Sequence, residues 1–376
     1  MNDLINVGII IGGRSVECEI SLISGLQAYL ALDNSKYNKI IFYLDKMNNL
    51  YIGDKLSNLS TYKEEMISNL TKVGLINIDN QVYYYNVLKP RKKYPIDIFV
   101  PVVHGYGVED GTISGFLDMY DAIYTSSDLI SSATIQDKVL TKALLDKYNI
   151  DNIKYEILNE ETYDEDYKTN LRFPIIVKPS YLGSSIGVKV VNSFDELHIA
   201  ILESFNYTNR VLLENALTNY DEYNCAVIKD HDIYITSCVE EVKHTKDILT
   251  FVEKYENDLN KLSDATNRII PALIDNNLEN QIRSLSQDIY KLFNLSGVVR
   301  IDYLYDNENN QLYVNEINNI PGSLAFYLFE PLNISFTKLL DILIQNAIIN
   351  FNKKRKKITF FKSNILAKKS SKLMTK

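Results

Sequence analysis

The residues best suited to chemistry lie in two short runs near the C-terminal end, residues 298–304 and 312–318. Both runs have the pattern of β-strands, and the segment between them, residues 306–310, is rich in turn-forming residues, so the pattern predicts an antiparallel hairpin. Side chains alternate between the two faces of a strand. One face therefore gathers four polar residues, Arg300, Asp302, Glu316 and Asn318. The other face carries four apolar or aromatic residues, Ile301, Tyr303, Tyr313 and Ile317.

The polar face of this hairpin has the composition of a site for a hard metal ion. Carboxylate and amide oxygens without His or Cys suit Mg²⁺, and Mg²⁺ usually brings substrate phosphates with it. A half-buried hairpin with a solvated polar face would show the same alternation. Both interpretations remain open on these residues alone.

A second candidate is the loop Gly-Ser-Ser-Ile-Gly at residues 183–187, which lies between two predicted strands. The P-loop and Rossmann fingerprints both require a helix N-terminus, so neither applies here. The backbone N–H groups of such a loop can still close over phosphates, and Lys178, just before the loop, would add positive charge. A plain Gly/Ser hairpin is the alternative.

Two further loops follow buried strands, where α/β proteins place ligand groups. Residues 104–111 contain three glycines, and His104 begins them. A lone His at a strand end is usually structural, but the nearby Glu109 favours a functional site. Residues 12–21 join a strand to a helix and place Glu17 in the first helical turn. Helix capping accounts for such a residue, and binding of an ammonium group is the alternative.

The elements that position these loops are typical of an α/β protein in three units. Residues 1–125 alternate apolar strands with an amphipathic helix, which favours a parallel sheet covered on both sides, although residues 50–95 are hard to assign. The second unit contains a predicted helix and three predicted strands, at residues 136–148, 173–178, 188–191 and 211–214. The third unit contains the hairpin and a polar stretch, residues 243–268, which is either an active-site lid or a solvated insertion.

Composition limits the classes of function. The chain has 376 residues, of which 46% are hydrophobic and 23% charged, as in soluble globular proteins of two or three domains. Its net charge is −8, yet the last 24 residues carry ten basic and no acidic side chains, so the remainder is strongly acidic. This excludes a broad nucleic-acid-binding face. Three cysteines without metal-ligand spacing, and no signal or membrane-spanning segment, predict a reduced, cytoplasmic protein without stable membrane insertion.

In their order along the chain, these motifs resemble those of the D-alanine–D-alanine ligases of the ATP-grasp superfamily. The resemblance covers about residues 7–340 and depends on five segments, residues 12–17, 104–111, 178–187, 300–302 and 316–322. It implies an α/β protein, an ATP-grasp fold preceded by a Rossmann-like (pre-ATP-grasp) parallel-sheet domain. The implied units are a substrate-binding domain (1–125), a small central ATP-grasp domain (126–215), a large C-terminal ATP-grasp domain with a lid at about 243–268 (216–350), and a disordered basic tail (351–376).

The resemblance also implies a set of ligands and residues. ATP and two Mg²⁺ (or Mn²⁺) ions would lie between the second and third domains. The ATP-binding residues would be Lys138, Lys178, Ser185, Glu214 and Glu222, although the chain is one residue longer than the family pattern before Glu222. The metal ligands would be Asp302, Glu316 and Asn318. The first amino acid would meet Glu17, Ser184, Tyr255 and His104. Lys254 would reach the phosphate, Arg300 and the N–H of Gly322 would form the oxyanion site, and Ser323 would contact substrate.

The implied reaction joins two D-alanines through an acyl phosphate for peptidoglycan precursors, in a cytoplasmic homodimer. The chain departs from the family pattern at Val108, where Gly is usual, and at Tyr327-Leu328, where a Ser-Leu pair usually helps to bind the second substrate's carboxylate. A related ligase with another acceptor (D-serine, D-lactate or another amino acid) is therefore an alternative. A non-catalytic nucleotide-binding regulatory protein is another.

Overall fold

The computed structural model describes three segments of the chain, residues 4–63, 69–243 and 268–358. The predicted lid, with Lys254 and Tyr255, lies outside the described residues except at its two ends, and so does the predicted tail beyond residue 358. The described residues form three β-sheets that follow one another along the chain.

The first sheet has seven strands in the order β6-β5-β4-β3-β2-β1-β7. The strands are β1 (Ile5–Gly12), β2 (Tyr37–Leu44), β3 (Leu50–Ile52), β4 (Thr71–Ile78), β5 (Gln81–Asn86), β6 (Lys89–Ile96) and β7 (Ile98–Pro101). β1 pairs in parallel with β2 and β7, as predicted. β3 to β6 instead pair antiparallel. Short connections join β2 to β3, β4 to β5 and β5 to β6, whereas a parallel pair would need a crossover helix. Residues 50–95, which the sequence left unassigned, supply this antiparallel extension, and the predicted parallel pairing is confirmed for β1, β2 and β7.

Three helices accompany this sheet, α1 (Cys18–Ala31), α2 (Ser60–Lys63) and α3 (Thr112–Asp118). α1 lies very close to β1, since a Cβ atom at Gly25 would clash with the side chain of Ile11. The hydroxyl of Ser21 accepts a bond from the N–H of Gly12 at 2.7 Å and donates to the carbonyl of Val102. α1 is therefore fixed against the ends of two strands, next to the loop that begins at His104.

The second sheet is antiparallel in the order β10-β9-β11-β8, with β8 (Tyr155–Asn159), β9 (Ile175–Pro179), β10 (Lys189–Val191) and β11 (Arg210–Asn215). Helices α4 (Leu129–Gln136) and α5 (Lys138–Lys147) precede it, and α6 (Phe194–Phe205) packs on it. Asp137 caps α5 by accepting the N–H bonds of Val139 and Leu140. The predicted helix and the predicted strands of this unit are confirmed to within two residues.

The third sheet contains β12 (Tyr220–Asp230), β13 (Ile233–Thr236), β14 (Glu240–Val242), β15 (Arg268–Ile269), β16 (Val299–Asp306) and β17 (Gln311–Asn318). Its order is β15-β14-β12-β16-β17, and β13 also pairs with β12. Helix α7 (Asn276–Leu292) packs on one face, where Cys225, Ile301 and Tyr303 are fully buried.

The predicted hairpin is formed by β16 and β17, with one difference in register. Asp302 lies opposite Glu316, but a β-bulge follows, so Tyr303 lies opposite Val314 and not Asn315. The extra residue reverses the alternation beyond it, and Tyr313 pairs with Leu304 on the polar face. The assignment of Tyr313 to the apolar face was therefore wrong.

The last helix, α8 (Phe336–Arg355), packs its buried leucines and isoleucines into the core of the first sheet. The first five residues of the predicted tail, 351–355, continue this helix, because basic side chains are favourable in the last turn of a helix. Within the described residues, none of the helices combines the length and the apolar character needed to cross a membrane.

Candidate functional site

The polar face of the hairpin holds a two-pronged ion pair. Nε of Arg300 lies 2.7 Å from Oδ1 of Asp302, and Nη2 of Arg300 lies 2.7 Å from Oδ2. Asn318 donates its side-chain N–H to the same Oδ2 at 2.9 Å. Burial would lower the pKa of Arg300, but the Asp302 carboxylate raises that pKa well above its usual value. Both oxygens of Asp302 are thus held by donors, and Arg300 stays charged.

Glu316, across the hairpin from Asp302, contacts a lysine from the second unit. Nζ of Lys138 lies 3.1 Å from Oε1 of Glu316 and donates to the carbonyl of Leu182 at 2.7 Å. Lys138 is the first residue of α5, and Leu182 directly precedes the loop at residues 183–187. The predicted phosphate-binding lysine, a predicted metal ligand and the Gly/Ser loop therefore meet at one place.

The donor chemistry of the hairpin fits a magnesium or manganese ion. Asp302 and Glu316 face each other in the register, and Asn318 adds an amide, so the set is composed of hard oxygen donors with basic side chains around them. Within residues 4–63, 69–243 and 268–358, no three His, Cys, Asp or Glu side chains form a metal-binding group. Protein sites for Mg²⁺ commonly supply one or two carboxylates and leave the other positions to water and phosphate.

The Gly/Ser loop reaches back to Glu17 at the start of α1. Ser184 donates its hydroxyl hydrogen to Oε1 of Glu17, which is only 8% exposed. A Cβ atom at Gly105 would clash with this carboxylate, and one at Gly183 would lie 3.3 Å from it. Ser184 and the adjacent Ser185 both adopt left-handed backbone conformations, with φ of 56° and 58°. Two glycines thus enclose a carboxylate that faces the strained part of the loop.

A buried carboxylate between two lysines lies at the end of β11. Oε1 of Glu214 is 2.6 Å from Nζ of Lys142, and Oε2 contacts Nζ of Lys178. Burial alone would raise the pKa of Glu214, but the two ammonium groups lower it to about 2. Burial lowers the pKa of Lys142, against the attraction of Glu214. The cluster carries a net positive charge beside the predicted nucleotide site.

The backbone of Ile320 is held at both of its polar atoms. Nδ1 of His104 lies 2.7 Å from the carbonyl oxygen of Ile320, and the N–H of Ile320 donates to Oε1 of Glu109 at 2.8 Å. The N–H of Gly105 donates to Oε2 of Glu109, also at 2.8 Å. Burial and the charge of Glu17 raise the pKa of Glu109 to about 8, although these two bonds oppose the shift.

His104 itself is 4% exposed and uses its second ring nitrogen as well, with Nε2 lying 3.2 Å from the hydroxyl of Ser24. Burial, helped by the charge of Arg300, lowers the pKa of His104 to about 4, so the ring is neutral at physiological pH. A direct bond from His104 to an amino acid would require one of its two protein bonds to break.

The chain after Gly322 makes an unusual turn. Ser323, Leu324 and Ala325 are three consecutive non-glycine residues with φ of 51°, 50° and 47°. Each such residue costs about 1–2 kcal/mol relative to a right-handed conformation. A Cβ atom at Gly322 would meet nothing within 4 Å, so the turn leaves open space beside that residue. Strain of this kind persists only where surrounding contacts enforce it, and it is concentrated at functional sites.

Tyr327, in place of the serine usual in the family, lies among charged groups. Its hydroxyl is 3.5 Å from Oε2 of Glu240, and the guanidinium of Arg268 lies 5.3 Å from the centre of its ring. Arg268 in turn approaches Oε1 of Glu240 at 3.2 Å. Burial and the charge of Glu240 raise the pKa of Tyr327, which remains a neutral hydrogen-bond donor.

The structure also shows the surroundings of two further residues noted in the sequence, Glu222 and Val108. Glu222 lies on β12 opposite Leu304 of β16, and its charge acts on Asp302. Val108 is 1% exposed, and its side chain lies where a Cβ atom of Gly13 would otherwise go. Valine at position 108, where glycine is usual, is therefore accommodated because its side chain packs against Gly13 in the loop at residues 12–21.

Three residues that the structure brings into the site were not assigned roles from the sequence: Ser24, Glu109 and Lys142. Lys142 lies four residues after Lys138 on α5, and this spacing places both lysines on one helix face, which is a usable signal. Glu109 was noted only as a neighbour of His104. Ser24 carries no sequence signal, because serine within a helix is too common to indicate a role.

Comparisons with known proteins agree with one another over most of the chain. Residues 6–127 match the family model described as "D-ala D-ala ligase N-terminus", and residues 144–345 match "D-ala D-ala ligase C-terminus". The D-alanine--D-alanine ligase of Thermosipho africanus is 36% identical over 369 residues, which cover 96% of this chain and 98% of that protein.

Solved structures show the same fold. The D-alanine-D-alanine ligase from Coxiella burnetii superposes with a TM-score of 0.80 at 24% identity and covers 94% of this chain and 96% of its own. The VanG D-Ala:D-Ser ligase from Enterococcus faecalis superposes with a TM-score of 0.77 at 25% identity, over 92% of this chain and 100% of its own.

Proposed function

Because the chain belongs to the D-alanine–D-alanine ligase family, we propose that it is an ATP-dependent ligase that joins two D-alanine molecules for peptidoglycan precursors. The family and the fold class predicted from the motifs, an ATP-grasp fold preceded by a domain with a parallel sheet, are both confirmed. The proposal extends to the domain division at residues 125 and 215, and to a cytoplasmic homodimer, as the resemblance implies.

One continuous set of contacts carries the proposal. Glu17 of the first unit accepts the hydroxyl of Ser184, and the carbonyl of Leu182, two residues earlier, accepts the ammonium of Lys138, which also contacts Glu316. These contacts join the carboxylate proposed to bind an amino acid, the loop proposed to bind phosphate and the hairpin proposed to bind metal. A ligase that activates a carboxylate with ATP needs these three functions within reach of one another.

The nucleotide would lie along the second and third sheets. Lys138 and Lys178 would contact its phosphates, Ser185 would face them from the loop, and Glu214 and Glu222 would border the adenosine. Asp302, Glu316 and the amide oxygen of Asn318 would hold Mg²⁺ or Mn²⁺. When bound, such ions neutralise the negative charge on the transferring phosphoryl group.

Glu17 would bind the ammonium group of the first D-alanine, and the hydrogen bond from Ser184 would orient the Glu17 carboxylate. A carboxylate oxygen of that amino acid attacks the γ-phosphorus of ATP, ADP leaves, and an acyl phosphate remains. The amine of the second D-alanine then attacks the acyl carbon, and inorganic phosphate leaves with its bonding electrons. Lys254 and Tyr255 lie outside the described residues. We propose for them the roles that the resemblance implies, Lys254 at the phosphate and Tyr255 with Ser184 and Glu17.

Arg300 and the N–H of Gly322 would stabilise the oxyanion of the tetrahedral intermediate. Arg300 is charged and fixed by Asp302, and Gly322 borders open space. Preorganised donors of this kind each contribute about 3–4 kcal/mol to catalysis. Ser323, the next residue, is predicted to contact substrate at the same side.

A ligase with a different acceptor is the second candidate, and a specific observation favours it. The position usual for a serine carries Tyr327, whose neutral hydroxyl lies 3.5 Å from Oε2 of Glu240 and which is close enough to Arg300 to feel its charge. Retention of both lysines, the hairpin carboxylates and Arg300 argues against a non-catalytic regulatory protein.

The test uses the full-length purified protein with ATP, Mg²⁺ and a panel of D- and L-amino acids, followed by phosphate release and mass analysis of the product. We expect D-alanyl-D-alanine as the main product. A mixed dipeptide such as D-alanyl-D-serine as the main product would overturn the choice of acceptor only. ATP binding without turnover of any amino acid pair would overturn the ligase assignment.

A further inference from the structure

Two buried side chains connect helix α1 to the turn that carries Gly322. The hydroxyl of Ser24, on α1, accepts the N–H of Ser323 at 2.9 Å and lies 3.2 Å from Nε2 of His104. Nδ1 of His104 lies 2.7 Å from the carbonyl of Ile320. Ser24 and His104 are 1% and 4% exposed, so water does not compete for these bonds. We call this set, Ser24, His104 and the backbone of Ile320 and Ser323, the α1 relay.

The chemistry of each group in the α1 relay determines which atoms donate and which accept the hydrogen bonds. The carbonyl of Ile320 can only accept, so Nδ1 of His104 must carry hydrogen and donate it. The hydroxyl of Ser24 already accepts the N–H of Ser323, so it can turn its own hydrogen toward Nε2, which is the acceptor of the neutral ring. The low pKa of His104, about 4, agrees with this single neutral tautomer.

The bonds of the relay lie on both sides of Pro321-Gly322, and they act on backbone atoms. Downstream of Gly322 the chain turns through three left-handed residues, a conformation that needs external support. Leu324 and Ala325 supply part of it because their side chains are buried in the core. The N–H of Ser323, bonded to Ser24, supplies a polar anchor directly beside Gly322.

Helix α1 also determines where the first amino acid would bind, because Glu17 is its N-cap residue. One rigid helix therefore carries Glu17 at its start and Ser24 two turns later. We propose that Ser24 is a positioning residue for the ligation step, which sets the N–H of Gly322 relative to the amino acid held by Glu17. This inference rests on the proposed ligase function and assigns Ser24 no contact with substrate.

The inference predicts a loss confined to one of the two chemical steps. Formation of the acyl phosphate depends on Glu17, the lysines and the hairpin, none of which bonds to Ser24. Attack by the second amine depends on the oxyanion site, which the turn positions. Loss of the Ser24 hydroxyl should therefore slow dipeptide formation and spare acyl phosphate formation.

The experiment compares Ser24→Ala with Ser21→Ala in the full-length enzyme. Both changes remove a buried hydroxyl from the same face of α1, but Ser21 bonds to Gly12 and Val102 and not to the turn. Acyl phosphate is measured with ATP and D-alanine as the hydroxamate formed with hydroxylamine, and ligation is measured as dipeptide. Ser24→Thr, which keeps a hydroxyl, serves as the conservative variant.

We expect Ser24→Ala to lower kcat for dipeptide by roughly tenfold or more while hydroxamate formation stays within about twofold of wild type. Ser21→Ala should leave the ratio of dipeptide formation to hydroxamate formation unchanged. In Ser24→Thr this ratio should be close to that of wild type. A ratio for Ser24→Ala equal to that of wild type would overturn the inference. If the wild-type enzyme forms neither product, the proposed function has failed instead.

A measurement on the wild-type protein covers the case in which Ser24→Ala does not fold. The chain contains four histidines, so the ring ¹⁵N resonances can be assigned by substitution. At pH 7, Nδ1 of His104 should be protonated and Nε2 should resonate as an unprotonated acceptor. Protonation of Nε2 at that pH would contradict the α1 relay.

Discussion

Arg300 and Asp302, two residues apart on one strand, bind each other through two parallel hydrogen bonds of 2.7 Å. The resemblance gives them separate roles, one at the oxyanion and one at a metal ion. The structure shows that neither side chain is oriented independently of the other. A fork of this kind fixes the plane of the guanidinium, which a single point charge cannot do.

Replacement of Arg300 by lysine tests the importance of this geometry. Lysine keeps the positive charge but can make only one of the two bonds, so we expect kcat to fall by about 10²–10³. ATP affinity, measured by titration, should remain within a few-fold of wild type. Arg283→Lys is the control, because Arg283 lies on α7 and bonds to Thr236, not to the polar face of the hairpin. A large loss of ATP binding in Arg300→Lys would place Arg300 at the nucleotide and not at the oxyanion.

Replacement of Lys142 by methionine removes one of the two cations that hold Glu214. Because Glu214 is 1% exposed, loss of a buried partner should destabilise the protein by about 3–5 kcal/mol, as measured by urea unfolding. Lys178 would then be drawn more strongly to Glu214, so the KM for ATP should also rise. Lys147→Met, at the exposed end of the same helix, should change neither quantity. An unchanged unfolding free energy in Lys142→Met would show that the cluster is not stabilising.

Glu109 should make stability depend on pH in a direction opposite to most carboxylates. Its pKa in the folded protein, about 8, lies above the ordinary value of 4.5, so the folded state binds its proton more tightly. The stabilisation is therefore complete below about pH 4.5 and is lost as the pH rises through about 8.

The measurement is the free energy of unfolding at pH 5 and at pH 9 for wild type and Glu109→Gln. Wild type should lose more stability over this interval than the variant, which cannot ionise. Glu330→Gln, at an exposed site, should follow wild type. Equal pH dependence in wild type and Glu109→Gln would mean that Glu109 is ionised throughout.

Two glycine substitutions should have opposite consequences. Gly322→Ala meets no atom within 4 Å, so the melting temperature should stay close to that of wild type. The added methyl group would occupy the proposed acceptor side, so the KM for the second amino acid should rise. Gly25→Ala clashes with Ile11 and should lower the melting temperature, since overpacking typically costs about 1–3 kcal/mol. Unchanged ligation kinetics in Gly322→Ala would remove this residue from the site.

The local patterns of the sequence predicted much of this site. The alternation in residues 298–304 and 312–318 predicted the hairpin and the facing of Asp302 and Glu316, because the period of a strand is local information. The bulge after Asp302 was not predictable from that period, and it moved Tyr313 to the other face. The antiparallel strands in residues 50–95 were not assigned from the sequence, and β6 among them is almost entirely exposed, so it shows no apolar alternation.

The contacts that depend on tertiary structure were out of reach of the sequence. Nothing in the spacing of Lys142 and Glu214 predicts that they meet, since they are brought together by the second sheet and α5. The same holds for Ser24 and Ser323, which lie in different units of the chain. Their pairing is set by the packing of α1 against the turn.

The hydrogen bonds to the backbone of Ile320 and Ser323 have a consequence for how the acceptor specificity of such enzymes diversifies. His104, Glu109 and Ser24 all bind peptide groups, so they do not depend on which side chains residues 320 and 323 carry. The side chain at position 327 can then differ from the usual serine while Gly322 stays in place, whereas Leu324, Ala325 and Leu328 remain packed in the core. Acceptor specificity could therefore change, by evolution or by engineering, through substitution at this position. The backbone hydrogen bonds that hold Gly322 would stay as they are.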